Sequence, residues 1–352
     1  MNKTSIAAAL MLAGSLVLGG CAGASQPAQD GSKSAQTTQA ADQKAQAIDY
    51  MALVNKLNPL PEGWESSLET VKYKNSVGNE VETEKKAYDA YQALKADLEK
   101  EGVRVDLDSA RRSVAEQQEI MDEFTKEYGA DYAKKTVATP GYSEHHTGLA
   151  LDLYLNIDGK DITENEEMMK HPDVWEKIHA KLAEHGFILR YLKGVEHITG
   201  YGYEPWHIRY IDNPEIAKEI TDKGITFEEY LSGKTLPAVT YDYGTSTLYT
   251  PEELEEAAVQ VKCQFANFAG CELHSLRYAG DGANTPENLK RLNEINGADK
   301  KTDYTQVLEI LTDFHTPAQG NDKFEADKEM TDYKWWLARK PGEGWQLITW
   351  EA

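Results

Sequence analysis

From Tyr50 onward the apolar residues keep switching between the period of a helix and that of a strand, and this switching limits the fold to a mixed class. Ala87, Tyr91, Leu94 and Leu98 recur at helical spacing in EKKAYDAYQALKADLEKEG, which predicts a helix that stops at Gly102. VRVDL then alternates as a short strand. Ile120, Phe124 and Tyr128 mark a second helix, and Val174, Ile178 and Leu182 a third that ends at Gly186. FILRYL and HIRYI read as strands. Single helices between short strands and glycine-rich connections predict an α+β domain, with helices packed on a small antiparallel sheet.

At roughly 150 residues per domain, a chain of 352 implies about two. The composition shifts at LSGKTLPAVTYDYGTST, which places a first unit at 49–236, a connection at 237–247 and a second unit at 248–352. Pro251 opens a helix whose Leu254, Ala258, Val261, Phe265 and Phe268 share one face. A polar helix at 286–296, the strand TQVLEILTDFHT and the aromatic hairpin YKWWLARKPGEGWQLITW complete a smaller α+β unit. Its order loosely resembles the curved-sheet cone of nuclear-transport-factor-like domains. Trp335, Trp336, Trp345 and Trp350 could stack on sugar rings, but aromatics alternating along strands favour packing in a sheet.

The first twenty residues do not belong to the folded part. A positive start and the apolar run 6–18 fit a signal-peptide core and are too short for a comfortable membrane span. Leu18-Gly19-Gly20-Cys21 resembles a bacterial lipobox, which implies cleavage before Cys21 and a lipid on its sulfur. Residues 21–48, rich in Ala, Gln, Ser and Thr, then read as a flexible stalk with a reach on the order of 30 Å. The expected location is outside the cytoplasm, anchored to the bacterial membrane by that lipid. A net charge of −22 gives no general attraction to nucleic acid or to an anionic lipid surface, and no basic patch offsets it. Nothing in the sequence fixes an oligomeric state.

The chemistry is concentrated in two strings, SEHHTGLALD at 143–152 and EPWHIRY at 204–210. A catalytic zinc takes three protein ligands and keeps one position open, and His145, Asp152 and His207 supply suitable donors. The spacing of His145 and Asp152 fits two strand positions joined by a bend at Gly148. Glu204 precedes His207 by three residues, with Pro205 between them to stop a regular helix. A carboxylate beside the metal but not bound to it is what a hydrolase needs to take a proton from water.

These strings resemble the SxHxxGxAxD and ExWH motifs of the VanY-like D-alanyl-D-alanine carboxypeptidases, which share a superfamily with lysostaphin-type and hedgehog-type zinc proteins. The resemblance covers roughly 50–235 and extends to LVNKLNPLPEGW and FILRYLKGVEHITGYGYEPWHIRYI. It implies Zn²⁺ on His145, Asp152 and His207, with Glu204 as general base. It also implies a peptidoglycan stem peptide as substrate, with loss of its terminal D-alanine. An arginine and a glutamine in a pattern like SGYRSxxxQ correspond to Arg112 and Gln117, although Ala110 and Arg111 replace the usual Gly and Tyr. Arg112 could clamp a terminal carboxylate or stabilise an oxyanion. Ser143 and Arg209 complete the expected substrate-binding set. The same metal site serves L,D-carboxypeptidases acting on tetrapeptide stems, and a non-catalytic cell-wall-binding lipoprotein is the reading from another class; the free carboxylate of Glu204 argues against the latter.

Other residues carry plainer expectations. His146 points away if its neighbour points in, giving it a structural or surface role. Trp206 alternates with His207 and should pack beneath the site. His171, His179, His185, His197, His274 and His315 have no partner at metal spacing, and SGKT at 232–235 lacks the first glycine of a phosphate loop. Cys263 and Cys271 are either bridged or free.

Overall fold

The computed structural model describes residues 48–128, 137–295, 304–340 and 342–351. Cys21, the signal segment and all of the stalk but its last residue lie outside the described residues. Among the described residues no helix is long and apolar enough to cross a membrane.

A hairpin of β1 (Thr70–Lys74) and β2 (Glu80–Glu84) leads directly into helix α1 (Lys85–Lys100). The Glu84 side chain accepts from Ala87 N and starts the helix, whose buried face is Ala87, Tyr91, Leu94 and Leu98. β3 (Arg104–Ser109), α2 (Val114–Tyr128), β4 (Ala150–Ile157) and β5 (Lys160–Ile162) follow. Then come α3 (Pro172–Leu182), β6 (Phe187–Leu189) and β7 (His207–Tyr210). The strands β3-β4-β7-β6 form one antiparallel sheet, with β5 folded back on β4. Leu94 and Leu98 of α1 and Trp175 and Ile178 of α3 share a core with Leu107, Leu151 and Ile208 of the sheet. At about 1.5–3 kcal/mol for each fully buried large apolar side chain, this core is the main stabiliser of the unit. Helices α4 (Pro214–Lys223) and α5 (Phe227–Ser232) close it, the first capped by Asn213 and the second by a Thr226/Glu229 capping box.

The α+β architecture is therefore as the sequence implies, with local differences. FILRYL is a strand only over Phe187–Leu189, although Arg190 N still donates to His207 O at 3.2 Å while its side chain meets Glu144 and Glu228. The stretch read as a connection contains β8 (Thr240–Asp242), three residues that are too few to show a period. Helix α6 (Pro251–Phe265) comes next and then β9 (Glu272–Tyr278), with which β8 pairs in parallel. After α7 (Pro286–Ile295), strands β10 (Gln306–His315), β11 (Glu329–Arg339) and β12 (Gln346–Glu351) finish a second sheet in the order β12-β11-β10-β9-β8.

Helix α6 buries Leu254, Ala258, Val261 and Phe265 against one face of that sheet, where Leu276, Phe314 and Trp335 lie. On the other face Leu292 of α7 meets Val307 and Trp336. Trp335, Trp336 and Trp345 are buried and Trp350 packs half-buried against Trp335, so these rings serve the packing of the sheet. Cys263 and Cys271 are free thiols. Helix α6 also packs on the single turn Glu196–Thr199 of the first unit. There the Lys262 ammonium is buried 3.0 Å from Glu196 and 3.2 Å from Glu255.

Candidate metal centre

The register of the first sheet sets Asp152 on β4 directly opposite His207 on β7. On the other side of β4, β3 ends at Ser109 opposite Asp152, so Ala110, Arg111 and Arg112 run past the same point. His145 does not come from a strand, as the bend reading expected. It sits in a one-turn 3₁₀ helix, Glu144–Thr147, that ends on Gly148 at φ 71°. Trp64 Nε1 donates to Thr147 O at 3.1 Å, and Thr83 Oγ1 and Glu84 N both donate to Gly148 O at 3.0 Å. A Cβ on Gly148 would stand 3.2 Å from Glu84 N and 3.3 Å from Glu84 Cβ. Both the sign of φ and the lack of space call for glycine there. The turn brings His145 Nε2 to 3.2 Å from Asp152 Oδ2, while His207 Nδ1 lies 3.0 Å from Asp152 Oδ1.

The outer nitrogens of both rings are already held. His145 Nδ1 donates to Ala110 O at 2.7 Å and so turns Nε2 toward the cluster. His207 is held the other way round, with Nε2 at 3.1 Å from Glu144 Oε2 and Nδ1 facing inward. Asp152 faces both inner nitrogens at once, Oδ2 toward His145 and Oδ1 toward His207. Two oriented imidazoles and a carboxylate whose ligand atoms all lie within 4.8 Å of one another fit a four-coordinate zinc that keeps one position open. Burial lowers the pKa of His145 and favours its neutral form. For His207 burial acts in the same direction, but the carboxylates of Asp152 and Glu144 outweigh it and push the imidazole up to about 9. For Asp152 burial works against ionisation, yet the two imidazoles hold its carboxyl well below the usual range.

Glu204 stands beside this set, its Oε2 3.8 Å from His207 Nδ1. It lies on a turn closed by His207 N donating to Glu204 O at 3.2 Å, with Glu204 N donating to Tyr191 O. His179 Nε2 on α3 donates to Pro205 O at 2.9 Å and supports the same turn. Trp206 packs against the core beneath it. Burial pushes the Glu204 carboxyl up to about 7, which suits a base that must both take and return a proton near neutrality.

Glu144 is a site residue that the sequence reading missed. Its Oε1 accepts from Arg190 Nε at 2.9 Å and Arg209 Nη1 at 2.7 Å, while its Oε2 faces His207. Burial acts to raise its pKa, but the two guanidiniums hold the carboxyl well below the ordinary range. The signal available was its place immediately before His145.

Arg209 was expected to bind substrate, and the structure places it elsewhere. Its side chain is fully buried, donating to Glu144, Tyr50 O, Ala52 O and Tyr210 O, so its donors are consumed inside the fold. Arg112 is different. Its Nε is buried without a hydrogen bond, and its charge acts on Asp152, Tyr201 and Glu204. Gln117 Nε2 donates to Ala138 O at 2.9 Å, tying down the segment that precedes the site. Ser143 is buried at the head of the 3₁₀ turn, where its carbonyl accepts from His146 N. His146 is fully buried, with Nδ1 2.8 Å from Arg112 O and Gly141 N donating to Nε2, so its role is structural.

The VanY family profile, described as D-alanyl-D-alanine carboxypeptidase, matches residues 80–213. A putative carboxypeptidase, YodJ of Bacillus subtilis, is 37% identical over 187 residues, spanning 52% of this chain and 67% of that one. A D-alanyl-D-alanine carboxypeptidase of Enterococcus faecalis is 36% identical over 193 residues, spanning 52% of this chain and 65% of that one. Among solved structures, the LdcB LD-carboxypeptidase is 34% identical with a TM-score of 0.47, over 53% of this chain and 87% of that one. The vancomycin resistance D,D-pentapeptidase VanY in complex with Zn(II) is 34% identical with a TM-score of 0.43, over 52% and 99%.

Proposed function

The chain belongs to the VanY family of D-alanyl-D-alanine carboxypeptidases, and from that premise we propose that it is a zinc enzyme removing the terminal D-alanine from peptidoglycan stem peptides. The observation that carries this reading is the convergence of His145 Nε2, Asp152 and His207 Nδ1, with Glu204 alongside and outside the ligand set. Zinc on these three residues would supply Lewis acidity toward the scissile carbonyl and the attacking water. Glu204 takes the proton from that water and passes it to the leaving amine. Arg112, half-buried with its Nε unpaired, orients the terminal carboxylate of the substrate. Ser143 and Gln117 shape the wall beside it through the 3₁₀ turn and the segment at Ala138. We further place the enzyme outside the cytoplasm on a lipid carried by Cys21, a reading supported by the lipobox-like sequence. Incorporation of labelled palmitate that is lost in Cys21→Ala checks the anchor.

The test of the reaction is protein lacking residues 1–21, incubated with pentapeptide and tetrapeptide stems, zinc-loaded or chelated. D-Alanine release from the pentapeptide should need zinc and should fall by at least about a hundredfold in Glu204→Gln, with zinc binding retained. Undiminished release by Glu204→Gln or by metal-free protein would sink the mechanism. Faster turnover of the tetrapeptide would reassign the enzyme as an L,D-carboxypeptidase.

A further inference from the structure

A cavity of about 110 Å³ lies between the two units. Helix α6 and the residues just after it line one side through Gln260, Gln264 and Asn267, and the first unit lines the other through Lys56, Thr139 and Tyr142. Rings link it to the ligand set. Lys56 Nζ sits 4.7 Å over the Tyr201 ring, Tyr201 lies 4.7 Å from Tyr191, and Tyr191 lies 4.7 Å from His207. The α6 wall is fixed in place by the buried Lys262–Glu196 pair and by close packing at Gly200. A Cβ on Gly200 would meet Lys56 Cδ at 3.0 Å and Ala266 Cβ at 3.3 Å.

Lys56 is the unusual member of this lining. Among the described residues no carboxylate comes within ion-pair distance of it, and its neighbours in the cavity are neutral amides, hydroxyls and the Cys263 thiol. An ammonium set among neutral donors and acceptors favours an incoming anion. Burial lowers its pKa, opposed first by Cys263 and then by Glu204. We propose that helix α6 of the C-terminal unit forms one wall of the substrate groove, and that the cavity takes a carboxylate on the acyl side of the scissile bond, paired with Lys56. The assignment rests on the carboxypeptidase reading, in which Arg112 holds the terminal carboxylate. Only the departing residue lies beyond the scissile bond, so a second carboxylate belongs to the retained part of the peptide. The C-terminal unit thereby acts as a specificity element of the peptidase.

The experiment uses the zinc-loaded protein lacking residues 1–21 and two peptides ending in D-alanyl-D-alanine. In one the preceding residue carries a side-chain carboxylate, and in the other the matching carboxamide. Calorimetric affinity and D-alanine release are measured for both. The wild type should prefer the carboxylate peptide, and Lys56→Met should lose about tenfold or more of that affinity while changing the carboxamide peptide much less. Lys56→Arg should keep the preference. Gln264→Phe, which fills the cavity from the other unit, should weaken the carboxylate peptide at an unchanged melting temperature. Release of D-alanine with equal affinity for the two peptides, or equal losses for both in Lys56→Met, overturns the cavity assignment and leaves the hydrolase standing. A carboxylate preference that depends on Lys56 but comes with no release supports the cavity and overturns the hydrolase.

Discussion

Glu144 works through His207: by accepting at Nε2 it decides which nitrogen of that ring faces Asp152. Glu144→Gln removes the charge that Arg190 and Arg209 share, and leaves the buried Arg209 guanidinium without a carboxylate while Arg190 keeps Glu228. A loss of about 3–5 kcal/mol in urea unfolding is expected, together with about 10–100-fold weaker zinc binding. The pKa of His207, raised to about 9 in the metal-free site, has its own consequence. Zinc must displace the Nδ1 proton, so apparent affinity should rise about tenfold per pH unit through neutrality and level off above pH 9. Zinc titrations at several pH values check this. The metal-free protein gains stability from the same imidazolium, fully present below the unfolded value of 6.5 and lost as pH rises through about 9. The grouping of His145, Asp152 and His207 with Glu204 alongside was legible because two local strings carry the residue types that such chemistry asks for. The partners of Glu144 were not, since Arg190 and Arg209 lie 46 and 65 residues away and an arginine on a strand looks the same whether it meets a substrate or a buried acid.

At the scale of elements, the site depends on two strands in register and one 3₁₀ turn. A one-residue slip between β4 and β7 would turn either Asp152 or His207 to the opposite face, so the apolar alternation that fixes the register also fixes the metal geometry. The turn depends on Gly148. Gly148→Ala forces a side chain into left-handed backbone and against Glu84, and should cost about 1–3 kcal/mol by urea midpoint, with weaker zinc binding as His145 shifts. Helix α1 was legible residue for residue because four buried side chains recur along sixteen positions. The 3₁₀ turn and β8 were not, because elements of four and three residues fall below the length at which a period shows.

Across the whole molecule, the joint between the units rests on a charge that cannot reach water. Lys262→Met leaves the Glu196 carboxylate buried without its cation at 3.0 Å, which should cost about 3–5 kcal/mol. Scanning calorimetry should then show two separated transitions where the parent chain shows one, and the double variant Lys262→Met/Glu196→Gln should recover part of the loss. The net charge of −22 takes no part in the metal site; the acids that matter there are Asp152, Glu204 and Glu144. The parallel pairing of β8 with β9 bears on how such a chain is made and cut. During synthesis β8 leaves the ribosome before β9, its one strand partner among the described residues, with all of α6 still to follow, so its backbone amides must wait for a neighbour. A peptidase fragment ending at 247 would keep that strand as an open edge, inviting self-association, whereas one ending at 236 would shed it.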